Sequence, residues 1–351
     1  MKRVNNIELL RFFSAISVVL WHYQTFFNPW NTFSSIQIDI NKTMKPFYSV
    51  LEYFYDYGYM GVPMFFTISG YVFAYVYLNK KEKTSGRQFF INRFARLYPL
   101  HFTTLIIVTL LQITSYKFTD SFQIYFFNDI YHFFLHLFFI NGWGFQDGTS
   151  FNQPIWTVSL EVIVYALFFI TIPYLNKFGI KFIIILYLAL LLIDKSGIQR
   201  EWTDIESLLN SCAKLFYSGI FVFYLCNKIK QKIYLIILSI ILIAISLMGN
   251  FKAFVFFPPI LLLFASTEDL ISNKVQKYFQ FFGNLTYASY LLHMPINMII
   301  VLIFGYFNVL DIIAVSHYFF IFYFVLIIFL SAMCFKFFEK PLNVKIRSLL
   351  S

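Results

Sequence analysis

Apolar runs of about twenty residues, separated by short polar and charged loops, recur from residue 7 to residue 338. A helix rising ~1.5 Å per residue needs about that many apolar positions to cross ~30 Å of hydrocarbon. The pattern predicts spans near 7–28, 58–78, 97–116, 159–175, 180–194, 207–227, 233–249, 253–267, 280–304 and 317–338. No stretch between them is long and polar enough for a separate soluble domain. The expectation is an all-α integral membrane protein of about ten transmembrane helices, forming a single domain over 1–351.

Charge then orients the spans. With the N-terminus inside, nineteen Lys and Arg residues fall in inside segments and six outside, which obeys the positive-inside rule and places both termini in the cytoplasm. One run, 130–141 (IYHFFLHLFFIN), would invert everything after it if it crossed. No Lys or Arg occurs between 118 and 176, so this run is expected to stay outside as a short re-entrant or interfacial segment, with Tyr131, Phe133 and Phe134 suited to an interface.

Composition agrees: 59% of residues are apolar, 13% are charged, and the mean hydropathy is +0.69. The net charge of +10 sits in loops between spans and not along one solvated face, so no nucleic-acid partner is expected. Cys212, Cys226 and Cys334 have neither the number nor the spacing of a disulfide framework or zinc site, and no metal is expected. Arg11 within the first apolar run, and the lack of a small-residue cleavage site after it, argue that this run is retained as a helix and is not a signal peptide.

An ionisable side chain inside a membrane helix is costly unless it faces a partner or a cavity, so each one is a candidate for function. Arg11 and His22 are eleven residues apart, a rotation of three turns plus ~20° and a rise of ~16 Å, which puts them on one helix face. The alternatives are a snorkelling anchor for Arg11 and a packing role for His22. Arg93 and Arg96, three apart before Pro99, can clamp a phosphate from one helix face, or serve as ordinary inside charge. Gly61, Pro63, Ser69 and Gly70 interrupt an aromatic helix and suit close helix packing. Trp156, Ser159, Glu161 and Tyr165 open a helix at the outer boundary, where a carboxylate can orient a histidine or bind sugar hydroxyls. His293 lies at about the depth of His22, which suggests one polar cavity without proving contact. Lys214, unpaired in sequence, is expected to snorkel outward.

Taken together these motifs resemble the bacterial membrane acyltransferase family 3, the O-acetyltransferases of surface polysaccharides, over nearly the whole chain. The family's Arg and His in helix one match Arg11 and His22. Its FFxxSG segment matches Phe65, Phe66, Ser69 and Gly70, and its cytoplasmic RxxR before Pro matches Arg93, Arg96 and Pro99. WxxSxExxxY matches Trp156, Ser159, Glu161 and Tyr165, and the late SYxxYLxHxP matches Tyr287, Tyr290, Leu291, His293 and Pro295, with Thr286 in place of the usual Ser. Many relatives carry an added helix and an esterase-like domain; the resemblance here is to the stand-alone form.

The resemblance implies transfer of an acetyl or other short acyl group from cytoplasmic acyl-CoA, with acetyl-CoA as the acyl-donor co-substrate, to a hydroxyl of a surface glycan such as O-antigen or exopolysaccharide. It implies His22 and Glu161 as catalytic residues, Arg11, Arg93 and Arg96 on the CoA side, and Ser69, Trp156, Tyr165 and His293 on the substrate side. Membrane lipid, a glycan acceptor and polysaccharide biosynthesis machinery are the implied partners, at a bacterial inner membrane. The rivals are a transporter of a lipid-linked sugar or small anion, since His, Arg and Glu also line substrate paths, and a scaffold without catalysis.

Overall fold

The computed structural model describes residues 4–30, 42–79, 85–194, 205–249 and 253–350. Eight of the charges used to orient the chain, Lys2, Arg3, Lys80, Lys81, Lys83, Lys195, Arg200 and Lys252, lie outside the described residues. Within them the chain is helical and contains no strand. The helices are α1 (Asn5–His22), α2 (Tyr48–Tyr57), α3 (Gly61–Tyr77), α4 (Gly86–Thr119), α5 (Ile130–Leu137), α6 (Trp156–Phe178) and α7 (Ile180–Asp194). They continue as α8 (Ile205–Lys228), α9 (Lys232–Met248), α10 (Ala253–Ser266), α11 (Asn273–Tyr306), α12 (Leu310–Ala314), α13 (His317–Cys334) and α14 (Lys340–Leu350).

Each of the ten expected spans falls on a helix. Among the described residues six helical stretches are long and apolar enough to cross a membrane, and three shorter apolar helices lie at 180–192, 232–248 and 255–266. The outward faces are apolar too: Ile185, Leu188, Ile240, Ile241, Phe322 and Phe329 are all at least half exposed. Side chains of this kind, outside and in number, belong in lipid. The run at 130–141 forms an α-helix of only 8 residues, which covers ~12 Å and cannot cross. Asp129 caps it, accepting from the His132 backbone N–H at 2.9 Å and from the His132 ring Nδ1 at 2.9 Å.

The chain packs as two compact, discontinuous units. The first comprises Met1–Ser14, Met60–Gly86 and Leu160–Asn284. Its centre is the crossing of α3 and α8, where Gly70 and Gly219 act reciprocally. A Cβ on Gly70 would overlap the Phe216 carbonyl, and one on Gly219 would overlap the Thr67 carbonyl. The two backbones meet only because both positions lack a side chain. The packing role expected of Gly70 is therefore what the structure contains. Gly179, at φ +55°, ends α6 in the left-handed region and donates its N–H to Leu175 O at 2.9 Å.

The N-terminus of α1 is capped from far away: Glu268 accepts from Asn5 N at 2.9 Å and Asn6 N at 2.8 Å. A carboxylate there satisfies orphan donors and complements the helix dipole. Lys214 departs from expectation. It is 2% exposed inside this unit, not snorkelled outward, and an ammonium so placed must be held by polar groups of the protein.

The second unit comprises Ala15–Tyr59, Arg87–Ser159 and Leu285–Ser351. An aromatic core of Tyr23, Phe26, Tyr55, Phe320 and Tyr323 packs the end of α1 against α13, with Tyr23 donating to Ala314 O at 2.9 Å. A second core joins Leu105 and Val108 of α4 to Met294 and Met298 of α11.

Candidate functional site

The candidate residues gather in two groups, one inside each unit. In the second unit His22 is the last residue of α1, and the chain passes directly into a 3-10 turn over Tyr23–Phe27. Two side chains also reach the His22 carbonyl at this change: Thr25 Oγ1 donates at 2.8 Å and Asn297 Nδ2 at 3.3 Å. Asn297 also donates to Thr25 Oγ1 at 3.0 Å and accepts from Tyr323 OH at 2.6 Å. The end of α1 is thereby fixed to α11 and α13.

The imidazoles of His22 and His293 meet, with ring centroids 4.8 Å apart and planes inclined by 48°. The matched depth read from the sequence is thus a contact. Each ring is oriented by its own helix: His22 Nδ1 lies 3.0 Å from Val18 O, and His293 Nδ1 lies 3.2 Å from Ser289 O. A carbonyl only accepts, so each Nδ1 carries the proton and each Nε2 presents a lone pair. His293 Nε2 is buried and has no hydrogen-bond partner among the described residues. Trp21 stands edge-on to His22 at 4.7 Å.

The same unit holds the arginines. Arg93 and Arg96 are both half-buried on α4, and Arg96 has no hydrogen bond or ion pair with any described residue. Just beyond it Leu97 O accepts from Tyr287 OH at 2.5 Å, which ties α4 to the helix that carries His293. Trp156 is half-buried at the start of α6. Ser159 has a structural duty here: its Oγ accepts from Gly142 N at 3.0 Å, and its carbonyl accepts from Trp143 Nε1 at 3.0 Å. Gly142 allows this closeness, because a Cβ there would lie 2.7 Å from Trp156 O.

In the first unit Tyr165 OH donates a short hydrogen bond to Glu161 and lies 3.2 Å from Ser69 Oγ. Phe73 stacks on the Tyr165 ring with centroids 4.3 Å apart. Glu161, Tyr165 and Ser69 therefore form one polar chain between α6 and α3. Arg11 is held by Glu8 at 3.2 Å and by Gly283 O at 2.9 Å. Gly283 permits that approach, since a Cβ would strike Glu8.

The family model of an acyltransferase domain, that of the acyltransferase 3 family, matches residues 4–336. The chain belongs to this family. No curated protein and no solved structure matches it. This acyltransferase 3 protein is a membrane acyltransferase, and the match runs through both units and every candidate residue named above. Of the two main readings of its buried polar groups, transferase and transporter, the family supports the transferase.

Several residues that shape the histidine site escaped the sequence reading. Asn297 stands one turn beyond His293, and that spacing was the available signal. Asn152 lies in a loop, and nothing around it in sequence announces its contact with α11.

Proposed function

We propose that the protein is a multi-pass enzyme of a bacterial inner membrane, with ten spans and both termini in the cytoplasm. It transfers an acetyl or similar short acyl group from cytoplasmic acetyl-CoA or a related acyl-CoA to a hydroxyl of a surface glycan such as O-antigen or exopolysaccharide. The observation that carries the reading is the His22–His293 pair, two buried imidazoles in contact whose Nδ1 protons are committed to backbone carbonyls.

In that tautomer His22 Nε2 can take the proton of the acceptor hydroxyl while the oxygen attacks the thioester carbonyl carbon. The C–S bond breaks, and the departing thiolate recovers the proton from the imidazolium. The same lone pair can instead attack the thioester carbonyl carbon, expelling the thiolate and leaving an acyl-imidazolium; the hydroxyl oxygen then takes the acyl group, the imidazole is regenerated, and the hydroxyl proton passes to the thiolate. Both routes balance, and both need Nε2 unprotonated. Arg93 and Arg96 serve the phosphates of CoA, and Arg11 is a further residue for CoA. Glu161 is the second catalytic residue, and Ser69, Trp156, Tyr165 and His293 serve the acceptor.

The test is base-labile acetyl on surface glycan, read by NMR, in cells carrying the wild-type gene, His22→Ala or no copy. The proposal expects the signal only with the wild-type gene. An unchanged signal in all three strains would refute it, and failure of the purified protein to bind labelled acetyl-CoA would return the transporter reading.

A further inference from the structure

Resting on the acyltransferase reading, we propose that Asn297 is a positioning residue for acyl transfer: its amide, held in one orientation by Tyr323, fixes the backbone of His22 so that the two imidazoles keep their contact.

His293 and Asn297 are four residues apart on α11 and share one helix face. They meet the same residue at two points. The His293 ring touches the His22 ring, with centroids 4.8 Å apart, and Asn297 Nδ2 donates to the His22 carbonyl at 3.3 Å. That carbonyl only accepts, so the NH2 end of the amide must face it and Oδ1 must face away. On that far side Tyr323 OH donates to Oδ1 at 2.6 Å. Nδ2 also donates to Thr25 Oγ1 at 3.0 Å, and Thr25 Oγ1 in turn donates to His22 O at 2.8 Å. Asn297, Tyr323 and Thr25 are all buried. Both polar atoms of the Asn297 side chain are thus matched, whereas Asn6, Asn141, Asn152 and Asn210, also buried, each leave at least one side-chain atom without a hydrogen-bond partner among the described residues.

Joining the helices does not require this network. Val19 and Leu20 of α1, Ile296 and Ile300 of α11 and Ile327 of α13 already form one apolar core. Apolar burial is non-directional, however, and leaves the rotation of the α1 end weakly specified. Hydrogen bonds specify it, and a fully matched buried set does so rigidly. Two of the bonds converge on the carbonyl of the residue whose ring carries the proposed chemistry, at the point where α1 gives way to the 3-10 turn. Without the Tyr323 hydroxyl the amide loses the group that selects its orientation, and a flipped amide sets Oδ1 against His22 O, acceptor against acceptor.

The test compares hydroxyls inside and outside this network. Tyr323→Phe keeps the ring and removes the hydroxyl; Thr25→Val removes the neighbouring hydroxyl and Thr25→Ser retains it. Tyr217→Phe is the control, because Tyr217 is also buried and its OH lies 2.9 Å from Thr171 Oγ1, but in the first unit. Each full chain is purified into lipid vesicles and measured for melting temperature, KM for acetyl-CoA, and kcat per folded molecule with extracted surface glycan. Tyr323→Phe and Tyr217→Phe should both melt a few degrees lower and keep the wild-type KM. Only Tyr323→Phe should lose kcat, by about tenfold, as expected when a reacting group is displaced by a fraction of an ångström. Thr25→Val should lose a similar factor and Thr25→Ser should keep at least half of the wild-type kcat. A purely structural network would lower the melting temperature and leave kcat per folded molecule intact. Wild-type kcat in folded Tyr323→Phe therefore overturns the proposal, as does wild-type kcat in Thr25→Val should Tyr323→Phe fail to fold. An equal loss of kcat in Tyr217→Phe also overturns it, because general loosening would then account for the effect. If the wild-type protein neither binds acetyl-CoA nor transfers acetyl, the acyltransferase reading itself fails and this proposal falls with it.

Discussion

Two polar groups of the molecule, built from different residue types, are arranged to opposite ends. In the first unit Glu161, Tyr165 and Ser69 close on one another: a phenol donates to a carboxylate and meets a hydroxyl, with Phe73 stacked against the ring. In the second unit His22 and His293 each direct Nδ1 at a carbonyl of their own helix, and His293 Nε2 has no hydrogen-bond partner among the described residues. Closed polar chains stabilise and orient, whereas an imidazole nitrogen with a free lone pair is able to accept a proton. Under the proposed function the first group positions and the second carries the chemistry.

The largest effect expected on the comparison comes from removing one side of it. Gly70→Leu places a side chain where the Phe216 backbone sits, and the loss should exceed about 4 kcal/mol, the range of severe overpacking and backbone displacement. Folded protein in the membrane fraction should fall to background, and the Glu161 chain should be lost with it. A well-folded Gly70→Leu protein would show that α3 and α8 do not cross as described.

Next comes a paired measurement. His22→Ala should lower acyl transfer by roughly 10²–10⁴-fold, the usual range for a general acid–base group, with the melting temperature little changed. Tyr165→Phe removes one hydroxyl from a closed chain and should cost about 1–2 kcal/mol of stability, with less than about tenfold in rate. Equal rate losses for the two variants would erase the distinction between chemistry and positioning.

Arg96→Lys keeps the charge but loses the planar fork, so acetyl-CoA should bind about tenfold more weakly while the maximal rate holds. An unchanged affinity would remove Arg96 from the donor site.

The smallest effect lies outside both groups. Burial opposes ionisation of Asp129, but hydrogen bonds from the His132 backbone and ring outweigh it and hold the carboxyl below its ordinary value. A lowered value means that the cap is complete above the ordinary carboxylate range and weakens as pH falls through the folded value. Hydrogen exchange of α5 amides should therefore rise only below about pH 4, near the ordinary Asp value, and Asp129→Asn should flatten that rise.

Much of this was legible in the chain. Spans could be read because lipid demands unbroken apolar runs, and His22 and His293 stood out because imidazole in hydrocarbon needs a reason. Arg11 carried a local clue as well, with Glu8 three residues before it on the same helix. What stayed hidden depends on partners remote in sequence. Glu268 caps α1 across 263 positions, Asn297 reaches His22 O across 275, and Asn152 reaches Leu291 O across 139. Single-sequence periodicity carries no information about such pairs, although the missing N–H of Pro295 implied that some donor had to come from elsewhere.

The most direct test of the account is a single-turnover experiment with purified protein in lipid vesicles, labelled acetyl-CoA and extracted surface glycan, comparing wild type with His22→Ala. The account predicts that the variant melts and binds acetyl-CoA as wild type does while transferring no measurable label. Transfer at the wild-type rate by folded His22→Ala protein would contradict it and move the chemistry away from the histidine pair.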